Sequence, residues 1–228
     1  MKSTRAHKTH GFTLVELLVV IVIVASLAAL ALTLGPRMMA RARFTESMQN
    51  LRQVTPLLTT YAADNNMTLP PVEGDVRLPD GSIEMLQWNE LCLTLIYPET
   101  DLSTMRNKTW WDTNKVVLKN PMYKASTALT PGFAMNEMIA INIDASNDLT
   151  TAIPLSLIRD SSRTPLIAPY TDFHYKFSSG EVAAFDKAPL ADLLSEGKLP
   201  VAFVDGHLET MTPKEYVNRK LNEQPLDN

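Results

Sequence analysis

The chain has 228 residues, 21 Lys and Arg, 25 Asp and Glu, and a net charge of −4. Lys2, Arg5 and Lys8 lie within residues 1–11, which hold no acid, so the remainder carries −7. An acidic body without a Lys/Arg patch argues against a nucleic-acid partner, because phosphate binding needs clustered cations. One cysteine, Cys92, excludes an intrachain disulfide; its neighbours Leu91, Leu93, Leu95 and Ile96 predict an inert, buried thiol. The length allows one globular domain plus an anchor, and about 150 residues suffice for a core without a bridge.

The basic head is followed by an apolar run. Residues 12–34 are 23 positions of which only Thr13, Glu16, Ser26 and Thr33 are polar. As a helix they span about 35 Å at 1.5 Å per residue, enough for a hydrocarbon core of roughly 30 Å. The cationic head keeps the N-terminus cytoplasmic and sends the rest outward, although Arg37, Arg41 and Arg43 soften the asymmetry. A secretory signal peptide would be shorter and end at a small-residue site; Ala29-Leu30-Ala31 and Ala40 offer such sites. Glu16 is the residue that asks for an explanation, since a carboxylate in hydrocarbon usually marks function or a partner. One reading is that it snorkels to the interface. The other is that a cut between Gly11 and Phe12 frees an α-ammonium that pairs with Glu16 of a neighbour. Thr13 is read as a tolerated small polar residue.

Gly35-Pro36 is expected to loosen or kink the helix, and Pro56 to kink it again. Residues 37–64 resume a helical pattern with Met38, Met39, Ala42, Leu51, Val54, Leu58, Tyr61 and Ala62 inward. After Asn65-Asn66, Leu69-Pro70-Pro71, Pro79-Asp80-Gly81 and Tyr97-Pro98 punctuate the chain as loops. Residues 84–96 predict one short helix with Leu86, Leu91, Leu93 and Leu95 partly buried. Trp88, Trp110 and Trp111 read as core or rim anchors, and Met135, Met138 and Ile139 as local packing. Val182–Phe185 is an equivocal strand. Val201–Val204 and His207–Met211 predict two strands around a tight Asp205-Gly206 turn that demands positive φ. Thr212, Pro213 and Glu215 then predict the N-cap, N1 and N3 of a terminal helix, with the last six residues fraying.

Other chemistry is thin. Asp205, His207 and Glu209 are weak metal candidates, so no metal or other cofactor is expected. Asp144, Asn147 and Asp148 lack the spacing of an EF-hand, and Ser178-Ser179-Gly180 makes no phosphate loop. Only His174 and His207 lie beyond the head and the run, neither in a catalytic motif, so the chain is not expected to be an enzyme.

Gly11-Phe12-Thr13-Leu14-Val15-Glu16-Leu17-Leu18-Val19-Val20-Ile21 closely resembles the type IV prepilin cleavage and methylation segment. The resemblance implies that a membrane aspartic peptidase cuts after Gly11 on the cytoplasmic side and N-methylates Phe12, with Glu16 as the assembly glutamate. It implies an α+β pilin-like fold, a long N-terminal transmembrane and amphipathic helix packed on a small antiparallel β-sheet domain. The divisions are a leader 1–11, an assembly helix 12–35, its amphipathic continuation 36–66, an exported domain 67–222 and a tail 223–228. The implied function is a structural subunit, pseudopilin or pilin-like, of a type II secretion or type IV pilus-like system. The alternative is a membrane-tethered extracytoplasmic binding or display module that uses the processing route without forming a fibre. Implied partners are prepilin peptidase, other pilin-like subunits, an inner-membrane assembly platform and the lipid bilayer. The expected location is the inner membrane, crossed once. Asn50-Leu51-Arg52-Gln53, Tyr61-Ala62-Ala63-Asp64-Asn65, Pro165–Ala168 and Phe203–Glu209 also resemble the pseudopilin-like proteins with an H-x9-DG end, abundant in Verrucomicrobia, Planctomycetes and Lentisphaerae. Two departures stand against that subgroup: Met48 and Gln49 occupy the place of its cysteine, and Ser195 that of its histidine.

Overall fold

The computed structural model describes residues 12–139, 154–175 and 181–221. Helix α1 runs from Leu14 to Asp64 as one unbroken element. The loosening expected at Gly35-Pro36 does not interrupt it, and Pro56 does not either. A helical proline removes its own donor and crowds the preceding turn, yet α1 continues on both sides of Pro36 and Pro56. The polar residues of the apolar run are satisfied within the same helix. Ser26 Oγ donates to Ile23 O at 2.8 Å, and Thr33 Oγ1 to Leu30 O at 3.0 Å. Such back-bonding is what hydrocarbon demands of a polar side chain.

The chain divides into two compact units, residues 1–41 and 42–228. In the first, every described residue of the span 12–34 is exposed. That is the burial of a helix whose whole surface awaits lipid or protein. Met38 and Met39, expected inward, are 69% and 57% exposed. They belong to the continuation of that surface.

The second unit holds the core. Here α1 buries Ser47, Asn50, Leu51, Val54, Thr55, Leu58 and Ala62, a stripe at the i, i+3, i+4 spacing of one helix face. Ala42 is exposed and Tyr61 only partly buried, so the buried face begins at Ser47 rather than at Met38. Asn65 closes the helix, donating from Nδ2 to Tyr61 O at 2.9 Å, and Asn66 and Met67 follow with φ of 56° and 58°.

Strands β1 (Glu73–Arg77) and β2 (Ile83–Gln87) form an antiparallel hairpin. The loop expected around Pro79-Asp80-Gly81 is therefore its turn, and residues 84–87 are strand rather than helix. Helix α2 covers Trp88–Ile96, burying Leu91, Cys92 and Leu93, with Leu95 at its margin. Burial pushes the Cys92 thiol well above its ordinary pKa, which leaves it inert. Short helices α3 (Leu102–Met105) and α4 (Lys108–Thr113) follow. Trp88 and Trp111 are fully buried.

Strands β3 (Phe133–Asn136), β4 (Pro165–Pro169), β5 (His174–Tyr175), β6 (Leu199–Phe203) and β7 (Leu208–Met211) form a sheet in the order β5-β3-β4-β6-β7. All pairings are antiparallel except β3–β5. Strands β3, β4 and β6 are buried throughout. One apolar cluster joins Leu51, Leu58, Trp88, Trp111, Phe133 and Ile167, so the α1 stripe, α2 and the sheet share a core. A second gathers Phe203, Met211 and Tyr216 beside helix α5 (Pro213–Leu221). Met135 and Ile139 are buried; the side chain of Met138 lies outside the described residues. The equivocal strand at 182–185 is a 3-10 helix, Glu181–Asp186.

Gly132 precedes the sheet at φ +88°, and an added Cβ would meet Tyr123 Cβ at 2.7 Å and Asn120 Cβ at 2.8 Å. Its carbonyl accepts from Asn120 Nδ2 at 2.8 Å. The close approach leaves no room for any other residue.

Candidate functional site

The start of α1 is built as a cap. Thr13 precedes the first helical residue, and its carbonyl accepts the first intrahelical bond, from Leu17 N–H at 3.2 Å. Thr13 Oγ1 accepts from Glu16 N–H at 3.2 Å. Glu16 Oε2 in return accepts from Thr13 N–H at 2.8 Å and from the Thr13 hydroxyl at 2.7 Å. This is a reciprocal capping box, Thr-x-x-Glu, which satisfies donors that a helix N-terminus leaves open. Glu16 also places negative charge at the positive end of the helix macrodipole.

The arrangement corrects the reading of Thr13 as merely tolerated. The signal lay in the sequence, because the same motif recurs at α5. There Thr212 N–H and Oγ1 donate to Glu215 Oε2 at 2.8 and 3.0 Å, and Glu215 N–H donates to Thr212 Oγ1 at 3.2 Å. At α5 the motif was legible as a cap. At Glu16 the membrane context drew attention to charge and hid the local geometry.

Within the box, Glu16 uses one oxygen. Oε1 makes no hydrogen bond among the described residues, so the carboxylate is oriented by its own helix while keeping one acceptor for a cation. Phe12 stands immediately before the cap and is 75% exposed. Gly11 and the basic head lie outside the described residues.

The weak metal candidates do not converge. Asp205 builds the β6–β7 turn: Oδ1 accepts from His207 N–H at 3.1 Å and lies 2.6 Å from His207 Nδ1. Glu209 Oε1 sits 3.6 Å from the opposite ring nitrogen, and its Oε2 is held by Arg219 at 2.6 Å. The two carboxylates thus flank opposite edges of an imidazole stacked on Phe203 at 4.3 Å. One ion cannot take all three. Among the described residues no group of three or more His, Cys, Asp or Glu forms a metal cluster. Asp144, Asn147, Asp148 and the Ser178–Gly180 stretch lie outside those residues.

The same turn is not the two-residue form expected. Gly206 N–H donates to Phe203 O at 2.9 Å and Phe203 N–H to His207 O at 3.0 Å, and of the turn residues Gly206 alone has positive φ, +91°. It is a three-residue loop with a left-handed glycine at its end. The β1–β2 turn repeats it bond for bond: Gly81 N–H to Leu78 O at 2.9 Å, Leu78 N–H to Ser82 O at 2.9 Å, and Ser82 N–H to Asp80 Oδ1 at 2.9 Å. Asp205 therefore does at its turn what Asp80 does at the other. His174 sits 3.8 Å from the buried carboxylate of Glu137.

With this geometry in view, residues 6–32 match the family model for the prokaryotic N-terminal methylation motif. The match supports a type IV pilin-like protein through its N-terminal segment. No curated protein and no solved structure matches it. The matched segment brackets the capping box, and the motif is that of a prepilin-type processed protein anchored in a membrane. Pilin-like proteins of this type are typically structural. Among the described residues α1 alone is long and apolar enough to cross a membrane.

Proposed function

We propose that this pilin-like chain is cut between Gly11 and Phe12 by a prepilin peptidase and N-methylated on Phe12. It then assembles through α1 as a pseudopilin or pilin-like subunit of a type II secretion or type IV pilus-like system. The chain crosses the inner membrane once, with its leader cytoplasmic and residues 67–222 outside. The observation that carries the reading is a carboxylate, oriented by its own helix cap with one oxygen unused, at the fifth position from Phe12 in an otherwise apolar, fully exposed run.

Hydrolysis of the Gly11–Phe12 bond leaves an α-ammonium on Phe12, and methylation keeps that nitrogen basic. In a bundle of such helices the Glu16 Oε1 of one subunit accepts from the Phe12 ammonium of another. Away from water this pairing gains strength, because Coulomb attraction scales inversely with the local dielectric. It also relieves the cost of carrying either charge into an apolar bundle. Ala25, Ala28, Ala29 and Ala31 allow close approach of helices, as small residues do in membranes. The surrounding Leu, Val and Ile supply the packing area.

Glu16→Ala tests the assembly step. The variant is expected to insert and be processed, yet to be lost from co-assemblies with the wild-type chain, measured by cross-linking in membranes. Incorporation equal to wild type would make α1 a simple anchor.

A further inference from the structure

We propose that the open cleft between α3 and α4 is a subsite for a neutral sugar ring of a polysaccharide. The cleft has a volume of about 550 Å³, within the range of small-molecule sites, roughly 300–1,000 Å³. Its lining combines one aromatic ring, Trp110, with hydroxyl and amide side chains, and it includes no ionisable group. The charges of α4 are drawn off elsewhere: Lys108 pairs with Asp112 at 2.6 Å, and neither lines the cleft. A charged ligand would lose water there without gaining a counter-ion.

The polar groups suit a hydroxyl-rich ligand. Asn107 Oδ1 accepts from Thr109 N–H at 2.8 Å, which fixes its amide and leaves Nδ2 as a donor. Asn114 Nδ2 donates to Trp110 O at 2.7 Å, which leaves Oδ1 as an acceptor. Two amides of opposite polarity are thus oriented by the caps of the same helix. The hydroxyls of Ser103, Thr104 and Thr109 make no hydrogen bond among the described residues. A sugar hydroxyl both donates and accepts, so it can use either kind of partner.

Trp110 is partly buried and is held by Tyr97, whose ring meets it edge-on at 5.3 Å and 89°. A fixed indole offers an electron-rich face, against which the C–H face of a pyranose packs. The cleft covers one side of a ligand only. A lone monosaccharide there would bind weakly, because a shallow contact leaves little surplus over the entropy of association. A longer chain lying across the cleft is the better match. By contrast, the cleft at the end of α1 is lined by Asp64 and Arg77 and does not select for neutrality.

The test uses the full chain in a detergent without a sugar headgroup. Cellohexaose, mannohexaose and chitohexaose are titrated while tryptophan fluorescence is followed, with polygalacturonate as the charged comparison. Trp88 and Trp111 are fully buried, so a change reports on Trp110. At least one neutral hexasaccharide is expected to give a saturable change below about 10 mM, the weak end of specific binding. Thr104→Val removes a hydroxyl with no hydrogen-bond partner among the described residues; it should weaken that binding by calorimetry about threefold to tenfold with an unchanged unfolding midpoint. Trp110→Phe should weaken it further. No saturable response to any of the three, a stronger response to polygalacturonate, or undiminished binding by Thr104→Val and Trp110→Phe together would overturn the assignment.

Discussion

The two halves of α1 share one backbone and differ in what their surfaces need. Residues 14–34 are apolar but for Glu16, Ser26 and Thr33 and exposed on every face, whereas the stretch from Ser47 to Ala62 buries one stripe and leaves the rest to water. Helical propensity and length do not distinguish them; the distribution of apolar residues around the axis does. The second half is completed by its own chain, through Leu51 and Leu58 in the shared core. The first half has no such partner among the described residues 12–41, and its apolar surface suits lipid or other helices.

Removing residues 1–41 should separate the halves most sharply. The remaining chain is expected to be soluble without detergent and to unfold in one cooperative transition by calorimetry. Loss of that transition would mean that the apolar half supports the body. Leucine truncations make the same point residue by residue. Leu51→Ala opens a cavity at a fully buried site and should cost about 2–5 kcal/mol in denaturant unfolding. Leu17→Ala, at a position 58% exposed, should leave that transition where it is.

Gly132→Ala probes the body alone. A left-handed conformation and a Cβ that would stand 2.7 Å from Tyr123 should cost about 2–3 kcal/mol, read as a lower denaturation midpoint. The paired caps give the smallest effects. Thr212→Ala should destabilise the body by about 1 kcal/mol, whereas Thr13→Ala should not move its transition.

The α5 cap also carries a pH dependence. Hydrogen bonds from Thr212 N–H and Oγ1 hold the Glu215 carboxyl below its ordinary value of 4.5. A carboxyl depressed in the folded state contributes stability above its unfolded pKa and loses it as pH falls through the lower, folded one. Wild type should therefore lose this contribution below about pH 4.5, and the difference from Glu215→Gln should narrow over that same interval.

Local chemistry was legible wherever a few neighbouring residues decide the structure. Thr212-Pro213-Lys214-Glu215 forms the expected capping box, and Val201–Phe203 and Leu208–Met211 pair across Asp205-Gly206. The β1–β2 hairpin has the same Asp-Gly chemistry, but its turn reads as a plain loop and residues 84–87 as helix, because Pro79 masks the turn and β2 buries only Leu86. Residues 182–185 resemble a strand in composition, yet short apolar segments take whichever form the surrounding packing allows. The helix continues past Pro36 as the resumed pattern of residues 37–64 implies, since one missing donor does not end a helix whose other bonds persist. At the N-terminus Glu16 stands out in the sequence as a charge out of place, while its bonds with Thr13 are a local geometry that the apolar context masks. The metal question turned on geometry that no spacing reveals: Asp205 and Glu209 sit on opposite edges of His207.

Assembly through α1 depends on a terminus created by processing, so the mass of the N-terminal peptide of the membrane-extracted protein tests it most directly. The expected peptide begins at N-methyl-Phe12. A retained Met1, or a new terminus near Ala31, would contradict it.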